Sequence, residues 1–248
     1  MDDAQDSLAR ARRLIAAAQQ LVVFTGAGVS ADSGVPTFRG HSGESFWGKY
    51  DAAALATPQG FRANPQLVYD WYSWRRSQLV SIQPNAAHRA IARWQETKGA
   101  IVVTQNIDGL HEELAPLQAT VLRLHGSLAA DRCSGCGYRE TIDLHNLPKL
   151  RGCPQCGELM RPDVVWFGEE LDEDVWGMAE QAARNADVML VVGTSGEVWP
   201  AVGLVHLAAR RGDVIIANLE PGPLEDCATV VLHGRAAEVI PKLAADAL

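Results

Sequence analysis

The sequence predicts an α/β protein in which a doubly wound parallel sheet carries a small metal-binding insertion. Three observations predict this fold. Short apolar runs alternate with helical segments along most of the 248 residues, glycine-rich or polar strings follow these runs, and two Cys-x-x-Cys pairs interrupt the alternation. Repeated strand–helix units place their strands parallel, and open sheets of this kind bind ligands at the carboxyl ends of the strands. We therefore expect a Rossmann-like sheet with a site along one edge.

Six apolar runs are the predicted strands, at 21–24, 100–104, 121–124, 187–192, 214–218 and 230–232. The predicted helices lie between them, at 7–20, 64–82, 84–98, 173–185 and 200–211. Asn64 followed by Pro65 is a typical helix start, because Asn caps free N–H groups and Pro suits the first turn.

The first strand runs directly into Gly-Ala-Gly-Val-Ser-Ala-Asp-Ser-Gly-Val-Pro-Thr-Phe-Arg-Gly at 26–40. Closely spaced glycines after a buried strand let backbone N–H groups approach a pyrophosphate. Pro36 breaks any helix early, unlike the ordinary dinucleotide fingerprint, so a long ligand-covering loop is expected. The alternative is a surface turn with glycines at positive φ. Phe38 and Arg39 favour the ligand loop, since a ring and a cation suit a flat base and a phosphate.

Polar strings also follow the second and third strands. Within the string Gln-Asn-Ile-Asp at 105–108, Asn106 and Asp108 can hold ribose hydroxyls or position a water. The string can instead form a capped helix start, and the residues alone leave both open. His125 lies at the next strand end, where Gly126 is expected to leave space for a general base to reach a sugar hydroxyl. A lone histidine is otherwise most often structural.

The two cysteine pairs, Cys133/Cys136 and Cys153/Cys156, have the spacing of a four-thiolate zinc ribbon. Four protein ligands leave no open position for water, so the predicted zinc is structural. A redox role for either pair is the alternative. Cys227 has no partner in the pattern and is predicted to be a small core residue.

Tyr72 and Arg75 lie three residues apart on the predicted helix at 64–82 and therefore point the same way. They are either part of an amphipathic helix with packed aromatics and solvated arginines, or an anion clamp for a carboxylate. His88 is predicted to cap or pack its helix rather than to take part in catalysis.

The overall composition excludes several classes of partner. The net charge of −8 argues against nucleic-acid binding, which requires clustered basic residues. No apolar run is long enough to span a bilayer, and the polar start does not resemble a signal peptide. We expect a cytoplasmic monomer that contacts neither membrane nor nucleic acid.

Six strings resemble those of the sirtuins, the NAD-dependent protein-lysine deacylases, and occur in the family's order. They are the glycine loop, Gln-Asn-Ile-Asp at 105–108, His-Gly at 125–126, the two cysteine pairs, Gly-Thr-Ser at 193–195 and Asn-x-Glu at 218–220. The resemblance covers about 20–243. It implies an NAD-binding domain at 1–40, 89–126 and 164–248, a cofactor-loop and acyl-pocket insertion at 41–88, and a zinc module at 127–163. The least matched stretch is 41–50, for which no contacts are implied.

The resemblance implies three sets of site residues. His125 is the catalytic base, with Asn106 and Asp108 at the nicotinamide ribose. The implied NAD contacts are Gly26, Ala27, Gly28, Ser30, Phe38, Arg39, Gln105, Asn106, Ile107, Asp108, Gly193, Thr194, Ser195, Asn218, Leu219, Glu220 and Ala236. The implied walls of the peptide cleft are Val165, Phe167, Gly168, Glu169, Gly196 and Val198.

The implied reaction transfers the acyl group of an acyl-lysine peptide to ADP-ribose, releasing nicotinamide and O-acyl-ADP-ribose. Sirtuins that remove acidic acyl groups carry Tyr-x-x-Arg where this chain has Tyr72 and Arg75. Succinyl- and malonyl-lysine are therefore expected substrates, with acetyl-lysine as another. The alternatives are a plain deacetylase, an NAD-dependent oxidoreductase, an NAD-binding module without turnover, and ADP-ribosyl transfer to protein.

Overall fold

The computed structural model describes residues 2–36 and 55–245. Its centre is a six-stranded sheet of β1 (Leu21–Thr25), β2 (Ile101–Thr104), β3 (Val121–Arg123), β7 (Val188–Val192), β8 (Asp213–Asn218) and β9 (Val230–His233). The strand order is β3-β2-β1-β7-β8-β9, and every neighbouring pair is parallel. All six predicted strands are confirmed, and the order reverses between β1 and β7, where open sheets bind ligands.

Helices cover both faces of this sheet. α1 (Asp2–Ala17), α4 (Ala86–Lys98) and α8 (Ala236–Ala244) pack on the face that carries residues such as Val23 and Ile215. α6 (Glu173–Asn185) and α7 (Gly203–Ala208) pack on the opposite face, against neighbours such as Phe24 and Ile216. Successive strand residues point to opposite faces, so continuous apolar runs are required to fill both cores.

Four of the five predicted helices differ from the structure in their bounds, two of them by three residues or more at both ends. The helix predicted at 7–20 spans Asp2–Ala17, because the backbone N–H groups of Gln19 and Gln20 donate to the Asp187 carboxylate instead of continuing the helix. The helix predicted at 200–211 spans only Gly203–Ala208, and hydrogen-bonded turns flank it. The helix predicted at 173–185 is confirmed without change.

A second, antiparallel sheet follows β3, with β4 (Gly126–Cys133) between β5 (Arg139–Thr141) and β6 (Met160–Val164). The sequence pattern did not predict these strands. The expected reason for Gly126 was wrong: a Cβ there would lie 2.1 Å from the Asp163 carbonyl oxygen, and φ is +81°. Gly126 therefore allows β4 to approach β6, and open space beside His125 is not its reason.

α2 (Pro58–Ala63), α3 (Pro65–Leu79) and the short α5 (Leu110–Leu114) complete the described helices. Asn64 caps α3 as predicted, accepting a hydrogen bond from Leu67 N. The fully buried Arg76 of α3 pairs with the fully buried Asp131 of β4 at 2.7 Å, and its guanidinium also donates to the carbonyl oxygens of residues 128 and 130. This ion pair joins α3 to the small sheet.

Within residues 2–36 and 55–245, no helix is both long and apolar enough to cross a membrane.

The loops after β1 and β7 meet at the reversal point through three glycines. A Cβ on Gly28 would lie 2.7 Å from Gly193 Cα, and one on Gly26 would lie 2.8 Å from Gly193 O. Gly193 itself has φ +64°, and its Cβ would lie 2.3 Å from Val29 N. Only glycine allows these two backbones to approach so closely.

We expect Gly193→Ala to destabilise the protein by about 3 kcal/mol, because the substitution combines a left-handed backbone with a steric clash. Gly177→Ala is the matched control, since Gly177 lies within α6 with no atom within 4 Å of its Cβ position. That control should be unchanged or more stable by about 0.5–1 kcal/mol. Urea unfolding followed by tryptophan fluorescence measures both, and equal midpoints for Gly193→Ala and the unmodified chain would contradict the prediction.

Candidate active site

The loop after β2 lies against the ends of β1 and β7. Gln105 donates from its backbone N to Thr25 O at 2.9 Å and from its side chain to Thr194 Oγ1 at 3.0 Å. Asn106, which is 8% exposed, donates from Nδ2 to Ser30 Oγ at 3.1 Å. The structure thus brings together predicted site residues from three separate strand ends.

Asp108 lies in the same cluster and also caps α5, accepting from Leu110 N at 3.0 Å. Burial raises the pKa of its carboxyl, while hydrogen bonds from Leu110, Ser30 and Asn106 and the charge of Arg75 lower it. Asp108 thus accepts a hydrogen bond at the start of a helix, as one interpretation predicts, and its carboxyl group also lies in the cluster; the ribose contact stays a prediction.

His125 connects β3 to β4 beside this loop. Its Nδ1 lies 3.0 Å from the carbonyl oxygen of Gln105. A carbonyl can only accept, so Nδ1 carries the proton and Nε2 has the free lone pair. Burial lowers the pKa of His125, although the hydrogen bond to Gln105 opposes this. The imidazole is therefore neutral near pH 7 and can accept a proton at Nε2.

His88 caps α4, as predicted, in a reciprocal arrangement with Asn85. The backbone N–H of Asn85 donates to His88 Nδ1 at 3.3 Å, which leaves the hydrogen on Nε2. Nε2 in turn lies 3.3 Å from Ser30 Oγ. Burial lowers the pKa of His88 to about 4, so this histidine supports Ser30 as a neutral group.

A buried layer beneath the cluster was not predicted from the sequence. Thr25 Oγ1 lies 2.8 Å from Thr104 Oγ1 and 3.0 Å from His111 Nε2, and Asn106 N donates to Thr104 Oγ1 at 3.0 Å. Burial lowers the pKa of His111 to about 3, and its ring lies 4.8 Å from that of His88. Threonines that end two adjacent buried strands are the sequence signal for this layer.

Asn218, a predicted NAD contact, lies at the end of β8. Its buried side chain accepts from Thr194 N at 3.1 Å and donates to Thr194 O at 2.9 Å. It therefore fixes the loop after β7. Ser195, Leu219 and Glu220 are exposed nearby, whereas Ala236 is buried at the start of α8. Phe38, Arg39 and the stretch 41–50 lie outside the described residues.

The segment 164–169 leaves the small sheet and passes His125, whose carbonyl accepts from Val165 N at 3.0 Å. Phe167 is 50% exposed, and Val198, in the loop after β7, is 38% exposed. Gly168 has φ +85°. The carboxylate of Glu169, a predicted cleft residue, accepts from Arg132, Arg161 and Trp166 N. It therefore stabilises the turn.

Tyr72 and Arg75 lie on α3 below this segment. Tyr72 is 1% exposed, and the Arg75 guanidinium lies 5.1 Å from the Trp71 ring centroid and 5.8 Å from that of Tyr72. Burial lowers the pKa of Arg75, opposed by Tyr72 and Asp108. The interpretation of solvated arginines is wrong for Arg76, which is fully buried. Arg75 is half-buried, so it is only partly in contact with solvent.

Trp166 is a site neighbour that the sequence analysis missed. Its indole Nε1 donates to the Tyr72 hydroxyl oxygen at 2.9 Å, and the side chain is 3% exposed. The residue lies between two predicted cleft residues in an extended segment. Alternation along that segment therefore predicts that Trp166 points inward, where a buried indole requires an acceptor.

The four predicted zinc ligands converge at one end of the small sheet. The sulfur atoms of Cys133, Cys136, Cys153 and Cys156 all lie within 4.8 Å of one another. Sulfurs at about 3.8 Å are expected around a tetrahedral zinc with bonds of about 2.3 Å. Backbone N–H groups at 135, 136 and 155 point at the sulfurs of Cys133 and Cys153. The cluster fits a structural zinc ion.

The Sir2 family model matches residues 26–200. An NAD-dependent protein deacylase of Pyrococcus furiosus is 42% identical over 95% of this chain and 96% of the relative. The protein of the same name from Mycobacterium tuberculosis is 44% identical over 90% of this chain and 96% of its own length. The chain belongs to the Sir2 family. The matched Sir2 region contains the glycine loop, Gln105–Asp108, His125 and all four cysteines.

Solved Sir2 structures agree with this assignment. A Sir2 homologue in complex with NAD superposes with a TM-score of 0.89 at 40% identity, covering 96% of this chain and 92% of the other. A Sir2 complex with a p53 peptide and NAD+ superposes with a TM-score of 0.81 at 29% identity, covering 93% and 94%.

We expect the purified protein to contain about one zinc ion per chain, since four thiolates complete a tetrahedral structural site. Cys153→Ser should lose most of this zinc, because a hydroxyl is a poor replacement for a thiolate ligand. Cys227→Ser is the matched control, since Cys227 lies outside the cluster, and it should retain the metal. Elemental analysis of the purified variants measures the metal content. Full zinc content in Cys153→Ser would show that this thiol is not a ligand.

Proposed function

We propose that this chain is an NAD-dependent protein-lysine deacylase that removes succinyl and malonyl groups in preference to acetyl. The names of its Sir2 relatives support the reaction class. The preference rests on one observation: the buried Tyr72 and the half-buried Arg75 lie side by side on α3, and the Arg75 charge couples to Asp108. An acidic acyl group carries a carboxylate that these two side chains can bind, whereas an acetyl group does not.

The residues at the strand ends suit an NAD molecule. Glycine backbone at 26–28 and 193 suits a pyrophosphate, while the amide and carboxyl groups of Asn106 and Asp108 suit a ribose and a carboxamide. The implied contacts of Ala27, Ser30, Ile107 and Ser195 remain part of this proposal. Bound NAD would supply an electrophilic anomeric carbon for the acyl amide oxygen, with nicotinamide as the leaving group and a ribose hydroxyl as the final acyl acceptor.

His125 is proposed as the base. Its protonated Nδ1 is held by Gln105 O, so the ring has a fixed orientation and only Nε2 can accept a proton from a ribose hydroxyl. Asp108 remains close to Ser30 and Asn106, which orient its carboxyl. The zinc has no part in these steps, because four cysteine ligands leave no position for a substrate atom.

An extended peptide is proposed to lie between the segment 165–168 and the segment 196–198. The half-exposed Phe167 and the exposed Val198 supply apolar contacts. Val165, Gly168 and Gly196 line the proposed cleft with backbone atoms and small side chains. Main-chain pairing of this kind binds many peptide sequences, because it does not require a particular side chain.

The clamp follows from charge and burial. A carboxylate that enters the pocket loses its hydration, so it binds only where a cation and a hydrogen-bond donor replace the water. The Arg75 guanidinium supplies the cation. Burial raises the pKa of Tyr72 to about 12, so the phenol keeps its proton and can donate it.

Deacylation of an acetyl-lysine peptide should stay active below pH 6.5, because burial lowers the pKa of His125 and the base form persists to a lower pH. The acid limb of kcat/KM should have its midpoint below 6.5, the ordinary value for histidine. The acetyl substrate is used because an acetyl group does not titrate, so the pH profile contains no contribution from an acyl carboxyl group. A midpoint at pH 7 or above would contradict a neutral His125 in the free enzyme.

Arg75→Met should lower kcat/KM for succinyl-lysine by at least about 100-fold, because the acyl carboxylate would be buried without its cation. The acetyl-lysine rate should change by no more than about threefold, since no such charge pair is lost. The measurement is mass spectrometry of one lysine peptide in its acetyl, succinyl and malonyl forms, with NAD, following nicotinamide and acyl-ADP-ribose.

Arg184→Met is the control for this substitution, since Arg184 is 55% exposed and pairs with Glu180 on the surface of α6. Equal loss of deacetylation and desuccinylation in Arg75→Met would refute the clamp. Turnover of the acetyl peptide alone by the unmodified chain would leave a plain deacetylase. NAD binding without nicotinamide release would contradict the reaction itself.

A further inference from the structure

Trp166 lies at the boundary between the predicted peptide cleft and the acyl pocket. Its neighbours Val165 and Phe167 are half-buried and exposed, respectively, whereas the Trp166 side chain is 3% exposed. Val165 and Trp166 directly follow β6, and along a strand successive side chains point to opposite sides. Trp166 therefore points away from the peptide and toward α3.

The indole ring is fixed by groups on several sides. The Arg161 guanidinium lies 3.8 Å from the ring centroid, and the Phe61 ring lies 5.4 Å away. Glu169 accepts from both Arg161, at 2.6 Å, and the Trp166 backbone N, at 2.8 Å. A side chain constrained in this way can hold a hydrogen-bond partner in one orientation.

That partner is the Tyr72 hydroxyl, whose oxygen accepts from Trp166 Nε1 at 2.9 Å. An indole N–H can only donate, so the direction of this hydrogen bond is unambiguous. One lone pair of the Tyr72 oxygen is therefore occupied by the Trp166 N–H. Its single proton is directed elsewhere, since it cannot point at another donor.

We propose that Trp166 is the positioning residue of the acyl clamp, directing the Tyr72 hydroxyl proton to the acyl carboxylate. This inference rests on the proposed acidic-acyl preference. Trp166 itself touches neither the acyl carboxylate nor the reacting atoms, and acts through Tyr72. Because Trp166 belongs to the segment proposed to pair with the peptide, peptide binding and acyl recognition share one stretch of backbone.

The test is a double-mutant cycle with Trp166→Phe and Tyr72→Phe. Trp166→Phe removes the N–H and keeps an aromatic ring, so kcat/KM for succinyl-lysine should fall about 5–15-fold, the loss expected for one hydrogen bond. The loss should lie mainly in KM, and the acetyl-lysine rate should stay within about threefold. In the Tyr72→Phe background, Trp166→Phe should cause little further loss of desuccinylation, because the hydroxyl it orients is already absent.

Trp94→Phe is the matched control, a buried tryptophan in the core of the large sheet. It should leave the ratio of desuccinylation to deacetylation unchanged. Equal loss of both activities in Trp166→Phe would show a purely structural role and overturn the inference, as would additive losses in the double mutant. If the unmodified chain does not prefer acidic acyl groups, the proposed preference itself fails, which is a separate and distinguishable result.

Discussion

The close contact between the loops after β1 and β7 is the constraint on which the site depends. Gly26 and Gly28 pack directly on Gly193, with no room for a Cβ on any of them. This contact brings the ends of two adjacent parallel strands together at the point where the strand order reverses. Gln105 and Thr194 then connect the β2 loop to the same point through a side-chain hydrogen bond.

Buried polar groups hold this arrangement in one geometry. Thr25, Thr104 and His111 form a hydrogen-bonded layer below Asn106, and His88 supports Ser30 from α4. Such groups are costly to bury unless their hydrogen bonds are made, so the layer specifies one arrangement of the strand ends. Both histidines are neutral, since burial lowers the pKa of each, and they act here as fixed dipoles rather than as charges.

The large sheet could be predicted because its strands are buried on both faces and appear as continuous apolar runs. The small sheet could not, since Gly126–Cys133 alternates only weakly and contacts between residues far apart in sequence, such as the Arg76–Asp131 ion pair, join it to α3. Strand-end motifs predicted that Asn106, Asp108 and His125 would lie together, but not that the Asn218 side chain bonds to the Thr194 backbone. Neither that contact nor the hydrogen bond from Trp166 to Tyr72 has a local pattern, because each pairs residues far apart in sequence.

Both connections between the large sheet and the small one pass beside the proposed base, His125. One is His125 to Gly126, the other is Val164 to Trp166, and they are bonded to each other by Val165 N and His125 O. Grafting a foreign zinc ribbon onto this scaffold would therefore place its two junctions at the proposed base and the acyl pocket. Exchange of the ribbon is therefore expected to disturb the proposed site unless the backbone at both junctions is kept.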